Sequence, residues 1–338
     1  MRFALAPEQR DFAGTLRKMC DAAGTPGLVR AWAAGDHRGG RALIRQLAGA
    51  GALGLAIAEE YGGMGAQPAD LVVAAREFGR AAAPGPLVET AAAIPALLQG
   101  LSDGGPARQW LGGLAEGREL ATLTFEPGLP ALDADIAEVV LLADGDRLYT
   151  AHRGERVHSI DPARRLYDVV ADDLVAEGDS VRTALASAFD AGALAAAAQL
   201  LGAGRALLDA TVAYAKQRRQ FGKPIGQYQA VKHQLANVLI ALDMAEPLLL
   251  RAALTMDGPD RARDVSAAKI ACSDAAHRAA RTALQVHGAI GYTAEYDLSL
   301  WLTKVTALRS AWGTADYHRG RVADALRSPS RNHTGVRP

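Results

Sequence analysis

The strongest constraint in this sequence is a set of four long helical segments in its second half. From about Ser180, "ALASAFDAGALAAAAQLLGAGRALLDATVAYAKQRRQ" is alanine-rich and nearly uninterrupted. "QYQAVKHQLANVLIALDMAEPLLLRAALTM", "DVSAAKIACSDAAHRAARTALQVHGAIGY" and "LSLWLTKVTALRSAWGTADYHRGRVADALR" follow it, separated by short breaks. Segments of that length joined so closely predict an up-down four-helix bundle over 185–328. The tail, 329–338, has no periodicity and is expected to be mobile.

The first 118 residues are also helical in pattern. "PEQRDFAGTLRKMCDAA" and "GGRALIRQLAGAGALGL" repeat apolar positions at helical spacing, and Asp70 is placed to cap the helix "LVVAAREFGRAAA". The glycine-rich loop "EEYGGMGA" precedes that helix. Between 119 and 184 the character changes to short runs rich in Val, Leu, Thr and Tyr, about 65 residues of β structure with a hairpin cue at "DGD". The fold class is therefore mainly α with a small middle β domain.

The chain has 338 residues, 49% of them hydrophobic and 22% charged, an ordinary globular balance. Lys+Arg and Asp+Glu both number 37, so no strongly basic surface is available for nucleic acid. Two cysteines, Cys20 and Cys272, are too few for a disulfide framework or a cysteine metal site, and the histidines lack metal-ligand spacing. No apolar run is expected to reach the roughly 20 residues that span a bilayer. The amino-terminal stretch reads as an amphipathic helix rather than a signal peptide, which points to a cytoplasmic protein with no membrane partner.

Two motifs carry more specific information. "RRQFGKPIGQYQAVKHQLA" breaks a helix at an Arg-Arg-Gln-Phe-Gly knuckle and restarts it, and "ALQVHGAIGYTAEY" ends the third segment on small residues. With "EEYGGMGA" and the three-part order, they resemble the acyl-CoA dehydrogenase family. That resemblance implies FAD shared across a subunit boundary, with the bundle of one chain holding the ADP half of its neighbour's flavin. Arg218 then faces the pyrophosphate, with Gln220 and Phe221 beside it. Gln229, and Gln285 with the backbone of Gly288 and Ala289, complete the set. The chemistry agrees, because a guanidinium pairs with phosphate oxygens and small residues admit an anion close to the backbone. Ala289 departs from the family's Gly-Gly. The plain alternative is that Arg218 and Arg219 form a solvated helix end complementing the helix dipole.

The same resemblance exposes what is missing. The family's α-proton is removed by a glutamate, which must be a carboxylate within reach of the substrate carbon. Its usual position is Trp312 here, in "SAWGTADYH", and the alternative position in the knuckle is Arg219. Neither is a base, and Asp316, four residues beyond Trp312, reads as an exposed helix residue. "TFEPGLPALDAD" keeps Glu126 and Pro127 but not the Gly-Ser-Asp that meets the flavin ring, and Thr303-Lys304 replaces an Arg-Asp pair. No tryptophan occurs between Trp110 and Trp301, so the flavin-facing Trp-Ile-Thr strand is absent.

These losses fall on the flavin ring and substrate side, while the ADP side persists. The resemblance therefore implies the short, non-catalytic subunit of a heteromeric α2β2 acyl-CoA dehydrogenase, like those of actinobacterial steroid side-chain degradation. A full-length dehydrogenase partner would supply the base and most of the acyl-CoA site, and would pass electrons to an electron-transfer acceptor. Two other readings stay open: a homo-oligomeric enzyme with a relocated base, and a cofactor-free scaffold. Trp312 is expected to plug the old cavity, and His287 to make a structural hydrogen bond or touch the cofactor.

Overall fold

The computed structural model describes residues 3–327; the expected tail, 329–338, lies outside them. The chain opens with α1 (Pro7–Ala22), α2 (Thr25–Ala33), α3 (Arg38–Gly49) and α4 (Pro68–Arg80). α5 (Ile94–Gln99) and α6 (Gly105–Ala115) follow, and a short π-helical turn, Glu89–Ala93, leads directly into α5. Proline begins both α1 and α4, where its missing N–H is no loss. Asp70 caps α4 from its third position, accepting the Gln67 N–H at 3.1 Å, and accepts Gln9 Nε2 at 2.8 Å, which ties α4 to α1.

Five strands follow: β1 (Ala121–Thr124), β2 (Ala131–Leu132), β3 (Val139–Asp144), β4 (Arg147–Val157) and β5 (Leu166–Glu177). They form one sheet in the order β1-β3-β4-β5-β2, with β1 parallel to β3 and the other pairs antiparallel. Gly145 at φ +63° makes the tight turn between β3 and β4, at the "DGD". β1 and β3 are buried, whereas much of β4 and β5 faces outward.

The centre of the molecule is α7 (Asp179–Gln217), 39 residues long. It corrects the expectation that no run is long and apolar enough to span a bilayer. By length and composition α7 is, but 83% of its most apolar stretch is buried within the fold. Its hydrophobicity comes from being surrounded by protein on several sides. α7 and α4 cross with their backbones nearly touching. A Cβ at Gly202 would lie 1.9 Å from the Arg76 carbonyl oxygen, and one at Gly79 would lie 2.0 Å from that of Gln199. Only glycine permits that approach.

α8 (Gln229–Leu254) and α9 (Arg261–His287) pack on α7 as continuous helices. The fourth segment differs from the sequence reading. It is two helices, α10 (Leu298–Ser310) and α11 (Ala315–Arg327), broken where Trp312 and Gly313 adopt φ of +58° and +91°. Cys20 and Cys272 are buried free thiols.

The α4–α7 crossing predicts that Gly202→Ala lowers the unfolding free energy by about 3 kcal/mol, because backbone must move to admit the methyl group. Gly14→Ala, where nothing lies within 4 Å, serves as the control and gains up to about 1 kcal/mol of helix propensity. Urea unfolding midpoints of the two variants check this.

Candidate functional site: a polar bundle end and a distant cavity

The knuckle after α7 is a built hairpin. α7 stops at Gln217, and β6 (Arg219–Gln220) pairs with β7 (Lys223–Pro224) around Phe221 and Gly222, at φ of +49° and +83°. Two positive φ values suit the right-handed twist of a two-residue hairpin. The Arg218 carbonyl accepts the Ile225 N–H at 2.8 Å, and the Tyr228 hydroxyl donates to the Gln220 carbonyl at 3.1 Å. Lys223 Nζ sits 4.4 Å from the Tyr228 ring centroid. Arg219 is exposed and turns back on its own hairpin, donating to the Gly222 carbonyl at 3.1 Å. The ring of Phe221 is 92% exposed at the tip.

The end of α9 lies against the last turn of α7, which leads into this hairpin. His287 is buried, pairs through Nδ1 with the Ala283 carbonyl at 2.8 Å, and stacks on Tyr214 of α7 with ring centroids 4.2 Å apart. Its hydrogen bond is structural. Gly288 then turns the chain at φ +66° into the Gly288–Tyr292 turn. The stacked pair thus brings Arg218, Gln220 and Phe221 to the same end of the bundle as Gln285, Gly288 and Ala289. Gln229 opens α8 on the far side of the hairpin. All seven are exposed, and the side chains of Arg218, Gln220, Gln229 and Gln285 make no hydrogen bond among the described residues. Exposed donors at one bundle end, together with an accessible glycine at positive φ, can receive an anion.

Trp312 stands elsewhere, in the wall of a cavity of about 1030 Å³ between the sheet and the first turns of α7. The cavity remains open, so Trp312 narrows the space without plugging it. Its ring lies 5.5 Å edge-on from Phe125 and is tilted against Phe189, and a Cβ at Gly192 would strike it at 2.3 Å. The loop that carries it is held from two sides. Lys269 Nζ, buried, donates to the carbonyls of Leu308 at 3.1 Å and Gly313 at 3.2 Å. His318 pairs through Nε2 with the Trp312 carbonyl at 2.8 Å and through Nδ1 with Ser266 Oγ at 3.0 Å. With Nε2 donating, Nδ1 accepts, which is the arrangement of a neutral imidazole. Burial lowers the His318 pKa to about 4 and the Lys269 pKa to about 8.

The carboxyl beside Trp312 in space is Glu89, not Asp316. Asp316 is exposed and paired with Arg319 at 2.8 Å. Glu89 sits in the π-helical turn, 4% exposed, and its Oε2 has no hydrogen-bond partner. Burial is the main influence and pushes its pKa up, against smaller opposite effects that include the Arg164 charge and the Trp312 indole. A carboxyl so placed is biased toward its protonated, donating form. Sequence reading missed Glu89, although one charge inside the apolar run "PGPLVETAAAIPALL" is itself a signal. Arg164, which also lines the cavity, carried no such signal. Lys304 is a structural tie, donating to the Ala83 carbonyl at 2.6 Å. No group of side chains suited to a metal occurs among the described residues.

The cavity and the polar bundle end are far apart. Phe189 in one and Arg218 at the other sit at opposite ends of α7, separated by about 40 Å at 1.5 Å rise per residue.

Comparisons with known proteins bear on both regions. The acyl-CoA dehydrogenase N-terminal domain family matches residues 6–118 and the C-terminal domain family matches residues 182–327. The acyl-CoA dehydrogenase IpdE2 of Mycobacterium tuberculosis is 34% identical over 282 residues, covering 82% of this chain and 85% of its own. IpdE2 of Mycolicibacterium smegmatis is 34% identical over 257 residues, 75% of this chain and 78% of its own. Among solved structures, the ChsE4-ChsE5 complex from Mycobacterium tuberculosis superposes with a TM-score of 0.84 at 22% identity, covering 98% of this chain and 100% of the matched one. Butyryl-CoA dehydrogenase from Megasphaera elsdenii gives 0.83 at 22%, covering 96% and 100%. At these identities the structural likeness shows the fold.

The neutral His318 makes the Trp312 loop sensitive to acid. The unfolded chain takes up this proton near pH 6.5 and the folded chain only near 4, so between those values the unfolded state binds more protons. Stability is therefore full above pH 6.5, falls as pH drops toward 4, and levels off below. The contribution reaches tenfold in the folding constant per pH unit. Chemical denaturation across this range should show a steeper decline in the native protein than in His318→Gln.

Proposed function

Because this chain belongs to the acyl-CoA dehydrogenase family, we propose that it is the non-catalytic subunit of a heteromeric, FAD-dependent member, an α2β2 tetramer in the cytoplasm. The observation that carries this reading is the separation along α7. A single flavin is shorter than the distance between the Trp312 cavity and Arg218, so the polar bundle end faces a flavin seated in another chain. FAD, once bound in the complex, supplies the hydride acceptor for α,β-dehydrogenation.

In that complex Arg218 pairs with the pyrophosphate through its guanidinium fork. Gln220, Gln229 and Gln285 offer further donors, and Phe221 covers the cofactor from the hairpin tip. Gly288 and Ala289 let backbone approach the phosphates, and the methyl of Ala289 leaves its amide available. The residues present fit the ADP half of FAD, because all of them are exposed and the four polar side chains are unengaged.

The other half of the chemistry is assigned to the partner. Trp312 has no proton-accepting group, and Arg219 is engaged within its own hairpin. Glu89, beside Trp312, stands in the π-helical turn and not at either position the family uses for its base, and burial raises its pKa. The partner chain therefore supplies the base, the flavin-ring pocket and most of the acyl-CoA site, and delivers electrons to the electron-transfer acceptor of the complex.

α8 supports the pairing. Ile240, Met244 and Leu248 form a stripe at helical spacing, 59%, 69% and 39% exposed. An apolar row of this kind on a bundle surface fits a subunit interface. Two-chain assembly is also what the name of the ChsE4-ChsE5 complex describes for that neighbour. A steroid acyl-CoA dehydrogenase, Tcur3481-Tcur3483, superposes with a TM-score of 0.82 at 24% identity, covering 94% of this chain and 97% of the matched one. We extend the reading to a bulky steroid side-chain CoA thioester as substrate.

Co-expression with a full-length dehydrogenase encoded beside this chain, purified through a tag on this chain only, tests the proposal. The expected complex carries one FAD per pair, and this chain alone is colourless. Stoichiometric FAD on the lone chain overturns the reading. Arg218→Ala should leave folding unchanged, because the side chain is exposed, and weaken FAD retention by at least about tenfold, the scale of a lost charge-assisted hydrogen bond.

A further inference from the structure

The Trp312 cavity is left without a role once the flavin is assigned to the partner, yet it is neither collapsed nor apolar throughout. Leu123, Leu185, Phe125 and Phe189 line its walls, and Leu129 and Ile160, 46% and 58% exposed, lie in the same lining. Two polar groups in it have unmet hydrogen-bonding capacity. Glu89 Oε2 is buried without a hydrogen bond. The Arg164 guanidinium, half-buried, has no hydrogen-bond or ion-pair partner among the described residues, although its charge acts on both Glu89 and Asp133. By contrast, Arg321 in the same lining is held by Asp190 at 2.8 Å.

A buried carboxyl oxygen and a guanidinium that both lack a hydrogen bond in one cavity are expensive unless something satisfies them. We propose that this cavity is a non-redox binding site for an apolar carboxylate, its acid end held by Arg164 and Glu89 and its body lying between Phe125, Phe189 and Trp312. The guanidinium donates two parallel, charge-assisted hydrogen bonds to the carboxylate. A protonated Glu89 donates a hydrogen bond to it, which a second buried anion would not allow. Burial already biases Glu89 that way. The volume, about 1030 Å³, matches a ligand of drug size or slightly larger. A phosphate or coenzyme A headgroup fits poorly, because the lining offers one free guanidinium beside the carboxyls of Glu89 and Glu126. Both a rigid ring acid and a straight-chain acid carry the required chemistry.

This site lies at the opposite end of α7 from the FAD-facing residues. It can be assayed on this chain alone or in a tetramer, and its failure would leave the subunit pairing untouched. The experiment is titration of the purified full chain with cholate and, separately, with laurate below its micellar range. Tryptophan fluorescence reports on Trp312, with Trp312→Phe to assign the signal, and calorimetry gives the stoichiometry. Dodecanol is the uncharged comparison. The expected result is saturable one-to-one binding of at least one acid, with dodecanol at least about tenfold weaker, and Arg164→Gln losing about tenfold while Arg164→Lys keeps part of the affinity. Glu89→Gln, which retains a donor, should bind, whereas Glu89→Ala should not bind as well. Cholate binding without laurate would identify a ring acid, and the reverse a fatty acid. Absence of saturable binding by both acids, or dodecanol binding as tightly as the acids, overturns the proposal and needs no variant to fold.

Discussion

The crossing of α4 over α7 sets the frame for everything else. At Gly79 and Gly202 the two backbones meet where any side chain would collide with a carbonyl. This contact joins the amino-terminal helices to the bundle, so the first 118 residues and the last half of the chain share one core. Buried ion pairs strengthen the arrangement: Glu77, 1% exposed, is held by Arg17 through two hydrogen bonds of 3.0 Å, and Asp190 by Arg261 and Arg321. Removing one member of such a pair would leave an uncompensated charge, which makes them demanding of geometry.

With α7 fixed, its two ends acquire different characters. At its carboxyl end the Tyr214–His287 stack gathers exposed donors around a preformed hairpin. At its amino end, the sheet, the π-helical turn and the α10–α11 break enclose a cavity. The break itself depends on Lys269 and His318, both buried and both donating to carbonyls at the turn. The Lys269 contact spans 44 residues and the His318 contact six, and together they replace the local hydrogen bonds that a continuous helix would have made.

Helical periodicity made the bundle and the amino-terminal helices legible in the sequence, and the "DGD" turn marked the β3–β4 hairpin. The break at Trp312 was not legible, because "ALRSAWGTADYH" keeps a helical pattern and the left-handed turn is imposed by residues on α9 and α11. The apolar length of α7 was underestimated because glycines and a few polar residues punctuate it, and its burial only emerges from the packing. Motifs located Arg218 and Gln285 on a short list, but their shared position at one bundle end depends on two aromatic rings distant in sequence. Glu89 and Arg164 meet only through the fold. The carboxyl closest to Trp312 along the chain on that side, Asp316, is exposed and paired with Arg319, whereas the one beside it in space, Glu89, lies far earlier in the chain, a separation that only the fold closes.

The hairpin tip has a further consequence in a cell. Phe221 presents nearly its whole ring to solvent on a tight turn held in a left-handed conformation. Exposed loop tips are favoured sites of proteolytic nicking, and exposed apolar surface is what chaperones and proteases survey. A copy of this chain that stays unaccompanied would carry its own degradation mark, whereas one whose hairpin is covered would hide it. In the heteromer proposed above, clearance of uncovered copies would then keep the two chains in balance.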